Sequence, residues 1–238
     1  MLRNFLTAVV FSILFLTSNV FAEPESVLNV DFKNGMPENF EASHGWTNGD
    51  PFNVNWNKDN ITFQKGKMQL LITKDPERKH HIPYNAGEFR SVNYFGYGRF
   101  EVRMKAAKTL GVVSNFFTYT GPHEGNPQDQ ICISITGKNS TQATLSHFKN
   151  GRLSDEVYNL GFDASKDFHT YAFEWYADKI VWFVDGKEVR TDTKEIPTTK
   201  GKVFAQIWTG KESTEGWIGK FSGRTATAEY EWIKITQF

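Results

Sequence analysis

Apolar residues recur at every second position along much of this chain, and nowhere for longer than two turns with the spacing of a helix. From Arg99 to Lys105, Phe100, Val102 and Met104 take one side while Arg99, Glu101, Arg103 and Lys105 take the other. That is the pattern of a strand with one face buried and one in water. Two hairpins are legible. Ile61-Thr62-Phe63 and Met68 to Thr73 flank Lys65-Gly66, and Ile180 to Val184 and Val189 to Thr191 flank Asp185-Gly186. Such a pair supplies the positive φ that a tight hairpin turn needs. Further strands are expected at Gly111 to Tyr119, Ile131 to Thr136, Ala143 to Phe148, Phe168 to Trp175, Lys202 to Trp208 and Glu229 to Ile235. Many short strands separated by turns predict an all-β sandwich of two antiparallel sheets.

Arg3, the apolar run from Phe5 to Leu16 and the small-residue site Val20-Phe21-Ala22 read as a signal peptide, 1–22, cleaved after Ala22. The run is too short to span a bilayer, so the expected protein is secreted or periplasmic, with no membrane partner. Residues 23–238 contain no linker, repeat or low-complexity stretch and are read as a single domain. The lone Cys132 cannot form an internal disulfide, which leaves stability to the core. Basic and acidic residues balance at 27 each, so no field exists to hold nucleic acid. The expected state is a monomer. Aromatic residues make up 15% of the chain, a content that suits sandwiches and sugar-binding clefts.

Composition leaves lectins, adhesins, inhibitors and glycosidases open. His44, His80, His81, His123, His147 and His169 show no metalloprotease spacing and read as surface or turn residues, and no phosphate loop or nucleophile elbow is present. Asn60-Ile61-Thr62 and Asn139-Ser140-Thr141 fit glycosylation acceptors.

The segment from Gly96 to Lys105, continuing from Gly111 to Pro122, resembles glycoside hydrolase family 16, and among its members the bacterial lichenases, the endo-β-1,3-1,4-glucanases. Trp46 to Asp50, Gly87 to Ser91, Asn159 to Asp163, His169 to Phe173, Trp182 to Gly186 and Ile196 to Thr199 extend the resemblance in order over nearly all of 23–238. It implies a β-jelly-roll sandwich, the concanavalin A-like lectin/glucanase fold, with a sugar cleft across one sheet.

The family's catalytic strand reads Glu-Ile-Asp-Ile-Glu. Its first Glu is the nucleophile, its last the general acid/base, and the middle Asp tunes the pair, while the isoleucines face the core. Here the strand reads Gln130-Ile131-Cys132-Ile133-Ser134-Ile135. Retaining hydrolysis needs two carboxyl groups roughly 5 Å apart. Gln130 cannot carry the attacking charge, and Ser134 is too weakly acidic to protonate a leaving group. Cys132 has no basic neighbour in the segment to make it a thiolate and is read as a small apolar residue. Asp129 has the wrong strand parity, Glu88 is expected to contact sugar hydroxyls, and the aim of Glu124 is open. None forms a convincing pair.

By the same resemblance Asn48, Phe52, Glu88, Arg90, Phe117, Tyr119 and Trp208 would contact substrate, whereas Gln128, Ser146, Phe148 and Gln206 replace a Trp, an Asn, a Tyr and an Asn. Trp175, Trp182 and Trp232 are expected in the core. The lichenase disulfide positions fall on Val54 and Ala86. A structural calcium site would use backbone oxygens near Asp31 and Gly66 with the side chain of Glu231, although no cofactor is required. The preferred expectation is therefore a secreted β-glucanase-like protein that has lost hydrolysis and binds β-glucan without cleaving it. One alternative is an active endo-β-1,3-1,4-glucanase with atypical catalytic residues; another is a binding module for a different polysaccharide or a protein.

Overall fold

A computed structural model describes residues 26–238; the expected signal peptide lies outside the described residues. In chain order the strands are β1 (Ser26–Asp31), β2 (Phe40–Ala42), β3 (Asn55–Trp56), β4 (Ile61–Gln64), β5 (Lys67–Lys74), β6 (Tyr84–Ala86), β7 (Glu88–Ser91) and β8 (Gly98–Lys105). They continue as β9 (Val112–Thr120), β10 (Asp129–Thr136), β11 (Asn139–Lys149), β12 (Arg152–Asn159), β13 (His169–Trp175), β14 (Ile180–Val184), β15 (Lys187–Asp192), β16 (Lys202–Thr209) and β17 (Ala226–Gln237). The α-helix α1 (Glu215–Ile218) is a single turn.

Ten strands form one sheet in the order β15-β14-β13-β8-β17-β5-β6-β3, with β1 also on β17 and β4 also on β5. The other seven run β12-β11-β10-β9-β16-β7-β2. Both expected hairpins are present, their turns carried by positive φ at Lys65 (53°) and Gly66 (74°) and at Asp185 (48°) and Gly186 (78°). The short β3–β6 pair is parallel, which corrects the expectation of purely antiparallel sheets. The strand β12 is not among those expected; it follows an Asn150-Gly151 turn with φ of 52° and 79°. As the edge of its sheet it exposes Leu153 and Val157, and this lack of a buried alternation hides it in the sequence.

Strand parity builds the core between the sheets. Phe100, Val102 and Met104 of β8 are wholly buried and meet Ile131, Ile133 and Ile135 of β10 in one apolar cluster. Phe100 stacks on Phe173 with ring centroids 5.0 Å apart. Burying each such side chain contributes about 1.5–3 kcal/mol. Trp175 and Trp182 lie in this core as expected, and Val54 and Ala86 are both fully buried within it. Trp232 does not follow: a bulge between Tyr230 and Trp232 moves Glu231 and Trp232 to the outer face, where Trp232 is only half-buried. Asn60 is also corrected. It is buried, and its Nδ2 donates to Leu71 O, Thr73 Oγ1 and Asn85 O at 3.0–3.2 Å, so the folded chain does not present it for glycosylation.

Candidate functional site

Register on the seven-stranded sheet sets the outer face as rows of side chains. One row runs Glu88, Gln206, Asn115, Ser134 and Thr144 across β7, β16, β9, β10 and β11. The next runs Arg90, Phe204, Phe117, Cys132 and Ser146, and ends on Asp155 of β12. A third holds Lys202, Tyr119, Gln130, Phe148 and Leu153. Because alternate residues of β10 face opposite ways, Gln130, Cys132 and Ser134 share this face while the three isoleucines stay in the core. Phe117, Cys132 and Phe204 form a small apolar cluster of their own, with Tyr119 packed against it.

A cleft of about 660 Å³ opens over these rows. Of the sequence-predicted contact residues, Asn48, Phe52, Glu88, Arg90, Phe117 and Tyr119 line it, together with Gln130. Trp208 does not line it. Only 5% exposed, Trp208 lies under Phe52 with centroids 4.6 Å apart and donates Nε1 to Asn115 Oδ1 at 2.7 Å. Gln128 and Gln206 do line the cleft, and so do Trp46, Asp50, Phe204 and His123, which were not among the expected contacts. Phe204 could have been found by counting parity along Lys202 to Trp208; His123 sits in a turn, where periodicity carries no information.

Where β9 meets β10 the floor is uncharged, and its polar groups bond one another. Asn115 Nδ2 donates to Ser134 Oγ at 2.6 Å and to Cys132 Sγ at 3.3 Å, and Cys132 Sγ and Ser134 Oγ are 3.3 Å apart. Burial pushes the Cys132 thiol up, against the smaller opposing pull of hydrogen bonds with Ser134, Asn115 and Gln130, so it is held as the thiol rather than the nucleophilic thiolate.

The carboxylates are occupied elsewhere. Burial works to raise Asp129, but backbone N–H groups of Asn150 (2.9 Å), Thr198 (2.9 Å) and Thr199 (3.1 Å), with Lys149 at 3.4 Å, hold it below its ordinary value. It ties two loops to the start of β10. Glu124 accepts from Tyr94 Oη at 2.6 Å and Thr120 Oγ1 at 2.8 Å, which settles the aim the sequence left open. Asp50 pairs with Lys211. Glu88 is 4% exposed and accepts from Ser43 Oγ at 2.5 Å. Burial pushes its carboxyl up to about 7 despite that hydrogen bond and the charge of Arg90. Three strand spacings separate Glu88 from Ser134, roughly 14 Å.

Two polar groups of the cleft are incompletely paired. The Gln206 side-chain carbonyl is buried with no hydrogen-bond partner. Arg90 Nε lies 2.9 Å from Glu41 Oε1 without the alignment of a hydrogen bond, and its guanidinium sits 5.1 Å from the centre of the Trp46 ring. Both atoms are buried, in side chains that line a cleft framed by the rings of Trp46, Phe52 and Tyr119.

At the expected calcium site the one side-chain ligand, Glu231, is engaged by cationic groups. Glu231 Oε2 accepts from Arg103 Nε at 2.7 Å and its Oε1 lies 3.7 Å from Lys67 Nζ, while Lys33 Nζ is 2.9 Å from Asp31 Oδ2. Lys33, Lys65 and Lys67 line the depression around Gly66. A guanidinium and an ammonium thus face the one carboxylate that the expected site would use. Among the described residues no three His, Cys, Asp or Glu gather to hold a metal.

The class so defined is a two-sheet jelly-roll β-sandwich with an aromatic-lined cleft on one outer face. A family profile described as Glycosyl hydrolases family 16 matches residues 48–234, and the chain belongs to that family. It is 48% identical over 219 residues to a beta-glucanase of Acetivibrio thermocellus, covering 90% of this chain and 64% of that protein. The chain thus spans slightly under two thirds of that relative's length. It is 41% identical over 229 residues to a beta-glucanase of Paenibacillus polymyxa, covering 95% of this chain and 91% of that one. Among solved structures, a prokaryotic beta-1,3-1,4-glucanase (lichenase) from a mouse hindgut metagenome superposes with a TM-score of 0.85 at 39% identity, covering 89% of this chain and 99% of that one.

Proposed function

We propose that this chain is a secreted β-glucan-binding protein of the family-16 type that does not hydrolyse its ligand. The observation that carries the reading is the floor of the cleft. The three β10 side chains that face it are Gln130, Cys132 and Ser134, and the two acids that line it, Asp50 and Glu88, are engaged by Lys211 and Ser43. Glu88 lies three strand spacings from Ser134, roughly 14 Å, too far to form a catalytic pair across that position. Without an anion to attack the anomeric carbon and an acid to release the leaving oxygen, both halves of the retaining reaction are missing, and acid–base catalysis alone is typically worth about 10²–10⁴-fold.

Binding survives this loss in principle because it uses other groups. Trp46, Phe52 and Tyr119 offer faces for sugar rings, and Gln206, Glu88, Arg90 and Gln130 offer hydrogen bonds. The uncharged side chains of β10 suit a neutral polysaccharide. The relatives named beta-glucanase support the choice of β-glucan, and their identity also supports the rival reading of a working hydrolase. Reducing-sugar release from barley β-glucan separates the two. The wild type is expected to be inert, and the triple reversion Gln130→Glu, Cys132→Asp, Ser134→Glu to gain measurable turnover. Turnover by the wild type defeats the proposal in favour of the hydrolase, and absence of glucan binding by the wild type defeats it in favour of another ligand.

A further inference from the structure

His123 stands in the cleft for no reason that the β-strand pattern supplies. It lines the cleft beside Tyr119, its side chain is 67% exposed, and its ring plane runs within 13° of the Tyr119 ring with centroids 6.2 Å apart. Its Nε2 is 3.9 Å from Glu124 Oε1, beyond hydrogen-bond distance. The imidazole therefore presents both an apolar face and a polar edge to the cleft.

The turn that holds it is firmly built. Glu124 N donates to Gly121 O at 2.9 Å, Gly125 N to Pro122 O at 3.0 Å, and Asn126 Nδ2 to Thr120 Oγ1 at 2.9 Å. The Glu124 carboxylate, held by Tyr94 and Thr120, pins the turn from below. Gly121 lies so close to Tyr119 that a Cβ there would collide with its hydroxyl oxygen, so the turn carrying His123 packs directly against the Tyr119 side chain. Gln128, which also lines the cleft, supplies only an amide.

From this we infer that His123 is a ligand-contacting residue, giving a sugar ring at the Tyr119 end of the cleft a flat stacking surface that Gln128 does not provide. The inference rests on the β-glucan reading above and names a residue through which that binding is made. A rigid ring orients a pyranose face at small entropic cost, and its nitrogens can reach ring hydroxyls.

Affinity electrophoresis through gels containing barley mixed-linkage β-glucan tests it with wild type, His123→Ala and His123→Phe, each first shown to share the wild-type urea midpoint. The expected result is several-fold weaker binding for His123→Ala, up to about tenfold, with His123→Phe within about twofold of wild type. Retardation of His123→Ala equal to wild type overturns the inference and leaves the β-glucan reading standing. Equal weakening of both variants overturns the stacking role. Free migration of the wild type removes the β-glucan reading, and the inference with it.

Discussion

Glu88 makes the stability of this protein depend on pH in a direction opposite to that of an ordinary ion-paired carboxylate. Its carboxyl rises from 4.5 to about 7 because folding removes it from water. The folded chain therefore holds this proton more tightly than the unfolded chain. Each tenfold gain in proton affinity is worth about 1.4 kcal/mol, which brings the whole effect to about 3 kcal/mol. That stabilisation is fully present below about pH 4.5, declines as the unfolded chain ionises first, and is gone once the pH has risen through about 7. Glu88→Gln keeps an acceptor for Ser43 Oγ and removes the ionisation. Wild type and variant are to be unfolded in urea, followed by tryptophan fluorescence, at intervals from pH 4.5 to 8. The wild type is expected to lose about 3 kcal/mol relative to the variant across that range. Comparison with the variant is essential because His147, which burial holds below 6.5, acts in the opposite sense. Its contribution is present above pH 6.5 and lost as the pH falls, and it cancels in the difference. Parallel curves for the two proteins, or a variant that loses stability faster with rising pH, would refute the reasoning.

Two further outcomes follow from β10 and the depression beside Glu231. Ile133→Ala, at a fully buried site, is expected to cost about 2–5 kcal/mol in urea unfolding, whereas Gln130→Ala on the cleft face costs less than about 1 kcal/mol; similar costs at both positions would contradict the strand parity. Thermal unfolding midpoints are expected to be the same in millimolar calcium and in chelator, since Lys67 and Arg103 already serve the Glu231 carboxylate; a calcium-dependent rise would show a bound ion.

Where alternation met a strong turn signal, the sequence was informative. The β4–β5 and β14–β15 hairpins and the inward isoleucines of β10 followed from period two and from Lys-Gly and Asp-Gly pairs. The same evidence was available for Asn150-Gly151, yet β12 escaped because an edge strand buries little and its residues need not alternate. Trp232 was misplaced because a bulge puts two successive residues, Glu231 and Trp232, on the same face, and a bulge depends on how β17 meets β8. Asn60 matched an acceptor triplet, but whether an amide is free is decided by the carbonyls that fold around it.

The chain by itself determined the all-β class, the family, and the residue types that β10 carries on its cleft face, because these are properties of local pattern and of residue type. Tertiary structure alone decided that Trp208 lies beneath the cleft while His123 stands in it, that Gln206 keeps a bare carbonyl, that Glu88 is taken out of water, and that cationic side chains serve the Glu231 carboxylate. Each of these depends on which groups meet across strands far apart in sequence, and on how much water the meeting leaves between them.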